Sequence, residues 1–231
     1  MLKPTLLAPL VIAWFTLSPP AKEQPVDDFN LQGSASIEGD CIRLTPDAPW
    51  ARGAAWAKKT VDLGQDFEVD LNLSFGHRDA LGADGIVFVL TTQPRLGWRG
   101  EGMGFAGQRA SLGIEFDTYQ NYRENDPAAD HLALVTFGTV YHPEGEDPAW
   151  NLPASGIVEL PNLEDGRRHP ARSRWSAKAD VLEVHVDGRL RATYPGALVR
   201  KVFGDQKVVS WGLTAATGRK TNAHDVCFEA P

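Results

Sequence analysis

The stretch Gly113-Ile-Glu-Phe-Asp-Thr-Tyr119 alternates between two kinds of side chain along its length. Ile114 and Phe116 are large and apolar, whereas Glu115 and Asp117 occupy the alternate positions. Successive side chains of a β-strand point to opposite faces, so the apolar pair would face a core and the carboxylates the other side. A period of two favours a strand over a helix. The stretch therefore predicts a strand that carries carboxylates on one face.

The same period of two recurs elsewhere in the chain. It is present in Phe67–Phe75 and in Val181–Val186, and the second of these leads through Asp187-Gly188 into Arg189–Tyr194. Asp-Gly is a dipeptide that tight hairpin turns favour, because both residues tolerate positive φ. Further apolar runs are Gly85–Leu90, His131–Phe137 and Val208–Leu213. We therefore expect an all-β fold, an antiparallel β-sandwich (jelly roll) of two large sheets without a long helix.

Length and charge narrow the classes of protein to which the chain can belong. A chain of 231 residues with 42% hydrophobic residues is of the size of a single sandwich domain. Its 30 acidic and 23 basic residues give a net charge of −7. This charge disfavours nucleic acid as a partner and suits a protein that binds cations.

Residues 1–21 are typical of a secretory signal peptide. Lys3 supplies a positive start, Leu6–Leu17 is an apolar run, and Ser18–Ala21 offers small residues for cleavage. We expect the mature domain to be residues 22–231, secreted or periplasmic. The apolar run is short for a membrane span, although an uncleaved anchor is the alternative. No later segment has the length of a span, so we expect no membrane insertion of the mature chain.

The two cysteines, Cys41 and Cys227, lie in strand-like stretches near opposite ends of the mature chain. In an oxidising compartment they are candidates for one disulfide that closes almost the whole domain. Two buried free thiols are the alternative. Neither cysteine has the paired spacing of a zinc or redox motif.

Potential metal ligands are concentrated at the end of the first strand and in the loop after it. Asp117 and Tyr119 share the face of Glu115, and the following turn would return the chain towards that face. Oxygen donors suit Ca²⁺, whereas carboxylates joined by one imidazole suit a transition ion such as Mn²⁺, so two adjacent ions are expected. In chain order the candidates are Glu115, Asp117, Tyr119, Asn121, Asp126 and His131.

The loop has two alternative interpretations. A solvated acidic loop after an edge strand is the common fate of such a run. An EF-hand that starts at Asp117 fails, because Tyr122 replaces its glycine and Ala128 its terminal glutamate.

The order and spacing of these residues resemble the metal loop of the legume (L-type) lectins, a family with the concanavalin A-like fold. The resemblance implies Ca²⁺ and Mn²⁺, or another transition metal, as cofactors. The implied ligands of the transition metal are Glu115, Asp117, Asp126 and His131. The implied ligands of calcium are Asp117, the Tyr119 carbonyl, Asn121 and Asp126, with water completing both shells.

Three further segments are similar to parts of this family, in the order that it requires. Gly82-Ala-Asp-Gly85 resembles the start of the strand whose Ala-Asp peptide is cis and whose aspartate accepts sugar hydroxyls. Gly100–Phe105 is similar to the glycine-rich loop that offers a backbone N–H to the sugar. Gly212–Gly218, followed by His224-Asp-Val, resembles the last loop and the closing strand.

A sugar needs an acceptor for neighbouring hydroxyls, a donor, a close backbone approach and an apolar platform. The candidates for these functions, in that order, are Asp84, Asn121, Gly102 and Tyr119. Gly218 and Arg219 are added by the last loop, which shapes the choice of sugar in the family. That loop is shorter here than in typical legume lectins, so the sugar cannot be identified from it.

These residues predict a Ca²⁺-dependent lectin that binds a mono- or oligosaccharide without turnover. One alternative is a glycoside hydrolase of the same fold, which needs two carboxylates across the glycosidic bond. Tyr119 stands near the position where such an enzyme would require a second glutamate. Another alternative is a degenerate lectin fold used for adhesion or assembly. A homo-oligomer is compatible with the sequence.

Overall fold

The computed structural model describes residues 26–143 and 156–228, so the predicted signal peptide lies outside the described residues. The strands are β1 (Phe29–Gly33), β2 (Ser36–Glu38), β3 (Cys41–Thr45), β4 (Arg52–Ala57), β5 (Val61–Asp62), β6 (Phe67–Ser74), β7 (Gly85–Thr91), β8 (Ser111–Asp117), β9 (His131–Thr136), β10 (Val158–Glu159), β11 (His169–Ser176), β12 (Val181–Val186), β13 (Arg189–Pro195), β14 (Val208–Ala216) and β15 (His224–Cys227). The helix α1 is Leu198–Phe203, and short 3-10 turns are Val26–Asp28, Asp79–Leu81 and Gly100–Gly102.

The strands form two antiparallel sheets packed as a sandwich. The eight-stranded sheet has the order β1-β4-β14-β7-β8-β9-β10, with β5 paired to β14. The seven-stranded sheet has the order β13-β12-β11-β6-β15-β3-β2. The predicted fold class, an all-β antiparallel sandwich, is confirmed.

Alternation along the strands places the core between the two sheets. In β6, Val69, Leu71 and Leu73 are buried and the residues between them are partly exposed. On the facing sheet, Ile114 and Phe116 of β8 enter the same core. Each such side chain, when fully buried, contributes roughly 1.5–3 kcal/mol of transfer free energy. The period of two in the sequence thus corresponds to an inner and an outer face.

The central strands β7, β8 and β9 are buried on both faces. A second apolar cluster covers the outer face of this sheet. It includes Val87, Val135, Phe105 from the loop before β8, and Val140 from the segment after β9. Glu115 lies on this covered face, because its neighbours Ile114 and Phe116 enter the inner core. Its carboxylate is therefore in a dry environment and not on a solvated strand.

Several predicted elements are reproduced closely. The strand predicted at Val181–Val186 is β12, and it joins β13 through a tight turn in which Asp187 has φ 52° and Gly188 φ 72°. Both signs are those of the turn type that Asp-Gly favours. The strands β1, β2, β4, β5, β10 and β11 were not among the predicted strands; of these, β5 and β10 have only two residues, which are too few to show a period.

A disulfide joins Cys41 on β3 to Cys227 on β15, which are 186 positions apart in sequence. The two residues are direct partners in the antiparallel pairing of these strands, and both are buried. Of the two alternatives for the cysteines, the structure therefore has the bridge. It ties the first strands of the domain to its last strand.

Replacing both cysteines by serine is expected to lower the free energy of unfolding by about 2–4 kcal/mol, because the bridge restricts the unfolded chain. Urea unfolding of the oxidised wild type, the reduced wild type and the Cys41→Ser/Cys227→Ser variant measures the effect. Equal unfolding free energies for all three would mean that strand pairing alone holds the chain ends together.

Candidate functional site

One row of residues crosses the eight-stranded sheet at a single end. Strand pairing places Ala216 of β14 opposite Gly85 of β7. On its other side Gly85 pairs with Asp117 of β8, which in turn pairs with His131 of β9. The segments just beyond this row are those in which the sequence predicts site residues. Antiparallel pairing therefore gathers them at one edge of the sheet.

Asp84 lies immediately before β7, and the Ala83–Asp84 peptide is cis. The Asp84 amide donates to the Ala216 carbonyl at 3.1 Å, and the Asp84 carbonyl accepts the Thr118 amide at 2.9 Å. These bonds hold its backbone between β14 and β8. The side chain is 3% exposed, and its Oδ2 has no hydrogen-bond partner among the described residues. A Cβ built on Gly218 would lie 3.6 Å from this oxygen.

The predicted transition-metal ligands are brought together at the outer face of the sheet. Two hydrogen bonds shape the loop that carries them: the Tyr119 amide donates to Asp117 Oδ1 at 2.6 Å, and the Asn121 amide donates to Asp126 Oδ2 at 2.7 Å. One ligand atom each of Asp117, Asp126 and His131 lies within 4.8 Å of the others. The buried members are Glu115, Asp117, Asp126 and His131.

Buried oxygens that lack a hydrogen-bond donor show whether these residues fit a cation. Oε1 of Glu115, Oδ1 of Asp126 and Oδ1 of Asn121 are buried, and no described residue hydrogen-bonds to them. A buried charged oxygen without a donor is costly unless an ion compensates it. Carboxylate and amide oxygens suit Ca²⁺, and their combination with imidazole suits a transition metal. The set of oxygen and nitrogen ligands therefore fits both a calcium ion and a transition-metal ion.

The electrostatics of the cluster indicate the same need for positive charge. Burial raises the pKa of Glu115, and burial together with the charges of Glu115 and Asp126 raises the pKa of Asp117 well above its ordinary range. The pKa of Asp126 rises to about 7, first of all because the group is buried. Burial lowers the pKa of His131 to about 4, which leaves its imidazole neutral and able to act as a ligand.

A pocket of about 320 Å³ opens beside this cluster. Its volume is at the lower end of the range for small-molecule sites, roughly 300–1,000 Å³. Its wall contains five of the predicted sugar-binding residues: Asp84, Tyr119, Asn121, Gly218 and Arg219. Burial and the carboxylates of Glu101 and Asp126 raise the pKa of Asp84 to about 7.

Gly102, the sixth residue predicted to bind sugar, does not line the pocket. Gly100 and Glu101 of the same turn line it instead. Gly102 is the buried last residue of the 3-10 turn, and its amide donates to the Arg99 carbonyl at 3.4 Å. Because glycines are closely spaced in this segment, the sequence could not select the one that reaches the wall. Gly100 has φ 62°, and its amide donates to the Thr217 carbonyl at 3.2 Å.

The aromatic lining differs in part from the expected platform. The Lys220 ammonium lies 4.8 Å from the centre of the Tyr119 ring, so a cation covers part of the predicted stacking surface. Trp50 also lines the pocket, and half of its surface is exposed. Its amide donates to the Gly218 carbonyl at 3.0 Å. Nothing in the sequence around Trp50 marks it, because the contact arises only when distant segments meet.

His142 is a second residue that sequence analysis missed. It is 1% exposed, and its Nε2 lies 3.0 Å from Glu115 Oε2. Although burial alone lowers the pKa of His142, the contact with Glu115 and the charge of Asp126 raise it overall. A histidine eleven positions after His131 was the available signal, but it lies in a stretch without periodicity.

A wider cleft of about 760 Å³ lies elsewhere, between the turn that precedes β6 and the helix α1. Leu63, Trp175 and Arg200 are among the residues that line it. It contains none of the residues predicted to bind metal or sugar. The smaller pocket is the better candidate, because partnerless buried polar atoms converge there.

The two-sheet sandwich, with a pocket at one sheet edge beside a buried ligand cluster, defines a protein of the lectin fold. The sequence model of the legume lectin beta-barrel domain matches residues 21–230. The chain therefore belongs to the legume, or L-type, lectin family. Membership supports carbohydrate binding as its activity.

Solved structures of lectins share this fold. The lectin from Bauhinia forficata in complex with GalNAc has a TM-score of 0.71 and 17% identity, with 88% of this chain and 90% of that chain covered. The exoplasmic/lumenal domain of VIP36 in its Ca²⁺/Man3GlcNAc-bound form has a TM-score of 0.68 and 18% identity, with 89% and 84% covered. At these identities the likeness concerns the fold.

A similar curated protein is the pesticidal crystal protein Cry22Aa of Bacillus thuringiensis. The two are 24% identical over an alignment of 225 positions, with 86% of this chain and 31% of that protein covered. The chain thus spans about a third of the length of this relative.

Proposed function

We propose that the chain is a lectin that binds a mono- or oligosaccharide in the pocket around Asp84 and depends on Ca²⁺ and a transition metal held behind that pocket. The observation that carries the proposal is Asp84 Oδ2, a buried acceptor without a described partner at the wall of a sugar-sized pocket. Sugar hydroxyls are donors that such an acceptor requires.

The metals would be held by the residues that the family resemblance implies. Bound Ca²⁺ would supply the positive charge that the cluster lacks and hold the loop from Tyr119 to Asp126. Asn121 belongs both to the partnerless oxygen set and to the pocket wall. Its position, and with it the shape of the pocket, is then coupled to metal binding. Tyr119, Trp50 and Gly218 complete the surface offered to the sugar.

Binding without turnover is favoured by the position of the strand carboxylates. Glu115 and Asp117 are 0% and 2% exposed and belong to the ligand cluster behind the pocket. A glycosidase needs an acid and a base or nucleophile on either side of the scissile bond. Hydrolysis of a polysaccharide that is lost on Glu115→Gln would favour the enzyme alternative.

We further propose that residues 1–21 are a signal peptide, that residues 22–231 form the lectin domain, and that the protein is secreted or periplasmic. The Cys41–Cys227 disulfide supports an oxidising compartment. Within the described residues, no helix is long and apolar enough to cross a membrane.

A glycan array with added Ca²⁺ and Mn²⁺, repeated after exhaustive EDTA treatment, tests the proposal. We expect binding to a defined set of glycans that disappears on metal removal and returns when both metals are restored. Elemental analysis must show that the metal has left. Unchanged binding by metal-free protein would refute metal dependence, and absence of binding to any glycan by the loaded protein would refute the lectin function.

A further inference from the structure

The segment after β9 returns to the loop between β8 and β9, which carries proposed metal ligands, and is hydrogen-bonded to it. The amide of His142 donates to the Glu124 carbonyl at 2.9 Å, and Asn125 Nδ2 donates to the His142 carbonyl at 2.9 Å. Val140, two residues earlier, packs into the apolar cluster on the outer face of the sheet. The position of His142 is thus fixed relative to the loop that ends at Asp126.

Its imidazole meets the cluster through a single ring nitrogen. His142 Nε2 lies 3.0 Å from Glu115 Oε2, 3.4 Å from His131 Nε2 and 3.5 Å from Asp126 Oδ1. Each of these three atoms belongs to a residue in the proposed transition-metal set. One ligand atom each of Glu115, His131 and His142 lies within 4.8 Å of the others.

The spacing of these atoms is that of ligands around one ion. Donors bound at about 2.1 Å to an octahedral ion are roughly 3.0 Å apart when adjacent and about 4.2 Å apart when opposite. The three distances from His142 Nε2 resemble adjacent pairs. His131 Nε2 and Asp126 Oδ1 are 4.0 Å apart, also within reach of one ion.

The contact between His142 Nε2 and Glu115 Oε2, at 3.0 Å, has the length of a hydrogen bond and also that of two neighbouring ligands of one ion. The buried Glu115 Oε1 has no hydrogen-bond partner among the described residues, so this contact leaves part of the carboxylate unsatisfied. The two ring nitrogens of His131 and His142 also face each other at 3.4 Å, with ring planes at 81°.

We propose that His142 is a fifth protein ligand of the transition-metal position, a proposal that rests on the metal site of the proposed function. The position would then be held by three carboxylates and two imidazoles. Imidazole nitrogen suits Zn²⁺, Co²⁺ and Ni²⁺ better than Mn²⁺. The second imidazole therefore directs this position towards a nitrogen-preferring divalent ion.

The number of imidazoles bound can be counted in the Co²⁺-loaded, Ca²⁺-saturated protein. Co²⁺ shifts the ring N–H protons of its histidine ligands far outside the ordinary proton NMR range, and these signals vanish in D₂O. We expect two such signals in the wild type, one in His142→Gln, and two in the control His185→Gln on the other sheet. The wild-type count decides the question even if His142→Gln fails to fold.

Metal competition gives an independent measure. In His142→Gln the dissociation constant for Zn²⁺ is expected to rise at least about 100-fold, and that for Mn²⁺ about tenfold or less. One shifted N–H signal in a wild type that holds one equivalent of Co²⁺ would place His142 outside the metal shell, while the lectin proposal would stand. Failure of the wild type to bind Co²⁺, Zn²⁺ or Mn²⁺ would overturn both proposals.

Discussion

Replacing Asp84 by asparagine is expected to weaken glycan binding by roughly 10²- to 10⁴-fold. The carboxylate is expected to accept two sugar hydroxyls, and a hydrogen bond to a charged group contributes about 1.5–3 kcal/mol. Asparagine keeps the size of the side chain but removes the charge and turns one acceptor into a donor. A buried donor would then face the sugar hydroxyls or the Gly218 loop.

Isothermal titration with the strongest glycan from the array measures this loss. The matched control is Asp205→Asn, which makes the same change at an exposed position outside the pocket. Metal content and far-ultraviolet circular dichroism should be the same in both variants and the wild type. Retained affinity in Asp84→Asn, with metals in place, would mean that the sugar binds elsewhere.

Replacing Asp117 by asparagine is expected to have opposite effects on metal binding and on the metal-free fold. Asp117 is a proposed ligand of both ions, so its loss should raise both dissociation constants at least about 100-fold and abolish glycan binding at micromolar metal. In EDTA, however, the variant should be as stable as the wild type or more stable. It removes a carboxylate that is 2% exposed and repelled by Glu115 and Asp126.

Elemental analysis, metal titration and urea unfolding with and without EDTA test this pair of effects, again with Asp205→Asn as control. If the variant were destabilised equally with and without metal, Asp117 would have a packing function unrelated to ions. If it kept full metal occupancy, the ligand assignment would be incorrect.

The fold was predictable because alternate residues of a sandwich strand face the core and the outer surface, which gives the sequence a period of two. A strand such as Val181–Val186 shows its inner and outer faces in six residues, and Asp187-Gly188 marks its turn. The buried strands β7 and β9 are apolar on both faces, so their sequences indicated strands but not what covers them. That cover comes from loops such as the one with Phe105, which lack a period of their own.

The candidate site was predictable where its residues are contiguous in sequence. The spacing from Glu115 to His131 is local, and Asp84 was found through a short motif of its own. Trp50 and His142 were missed, because each reaches the site through a loop whose path depends on tertiary contacts. The displacement of Gly102 by Gly100 has a similar cause, since a single 3-10 turn decides which glycine reaches the wall.

The last loop of the pocket is attached at its far end, and the Lys220 ammonium also lies over the ring of Tyr119. Lys220 Nζ donates to the Ala80 carbonyl at 2.7 Å, Thr221 bonds to Asp47, and Asn222 Nδ2 donates to Glu164 at 2.5 Å. Its near end continues from β14, two strands away from β8.

Substitutions at Gly218 and Arg219 can therefore accumulate while the two ends of the loop stay in place. Selection for a new glycan would act on these positions while the ion-binding strand stays constant. We expect natural diversity among homologues of this chain to be greatest there, which makes the loop the place to exchange residues when a different sugar preference is wanted.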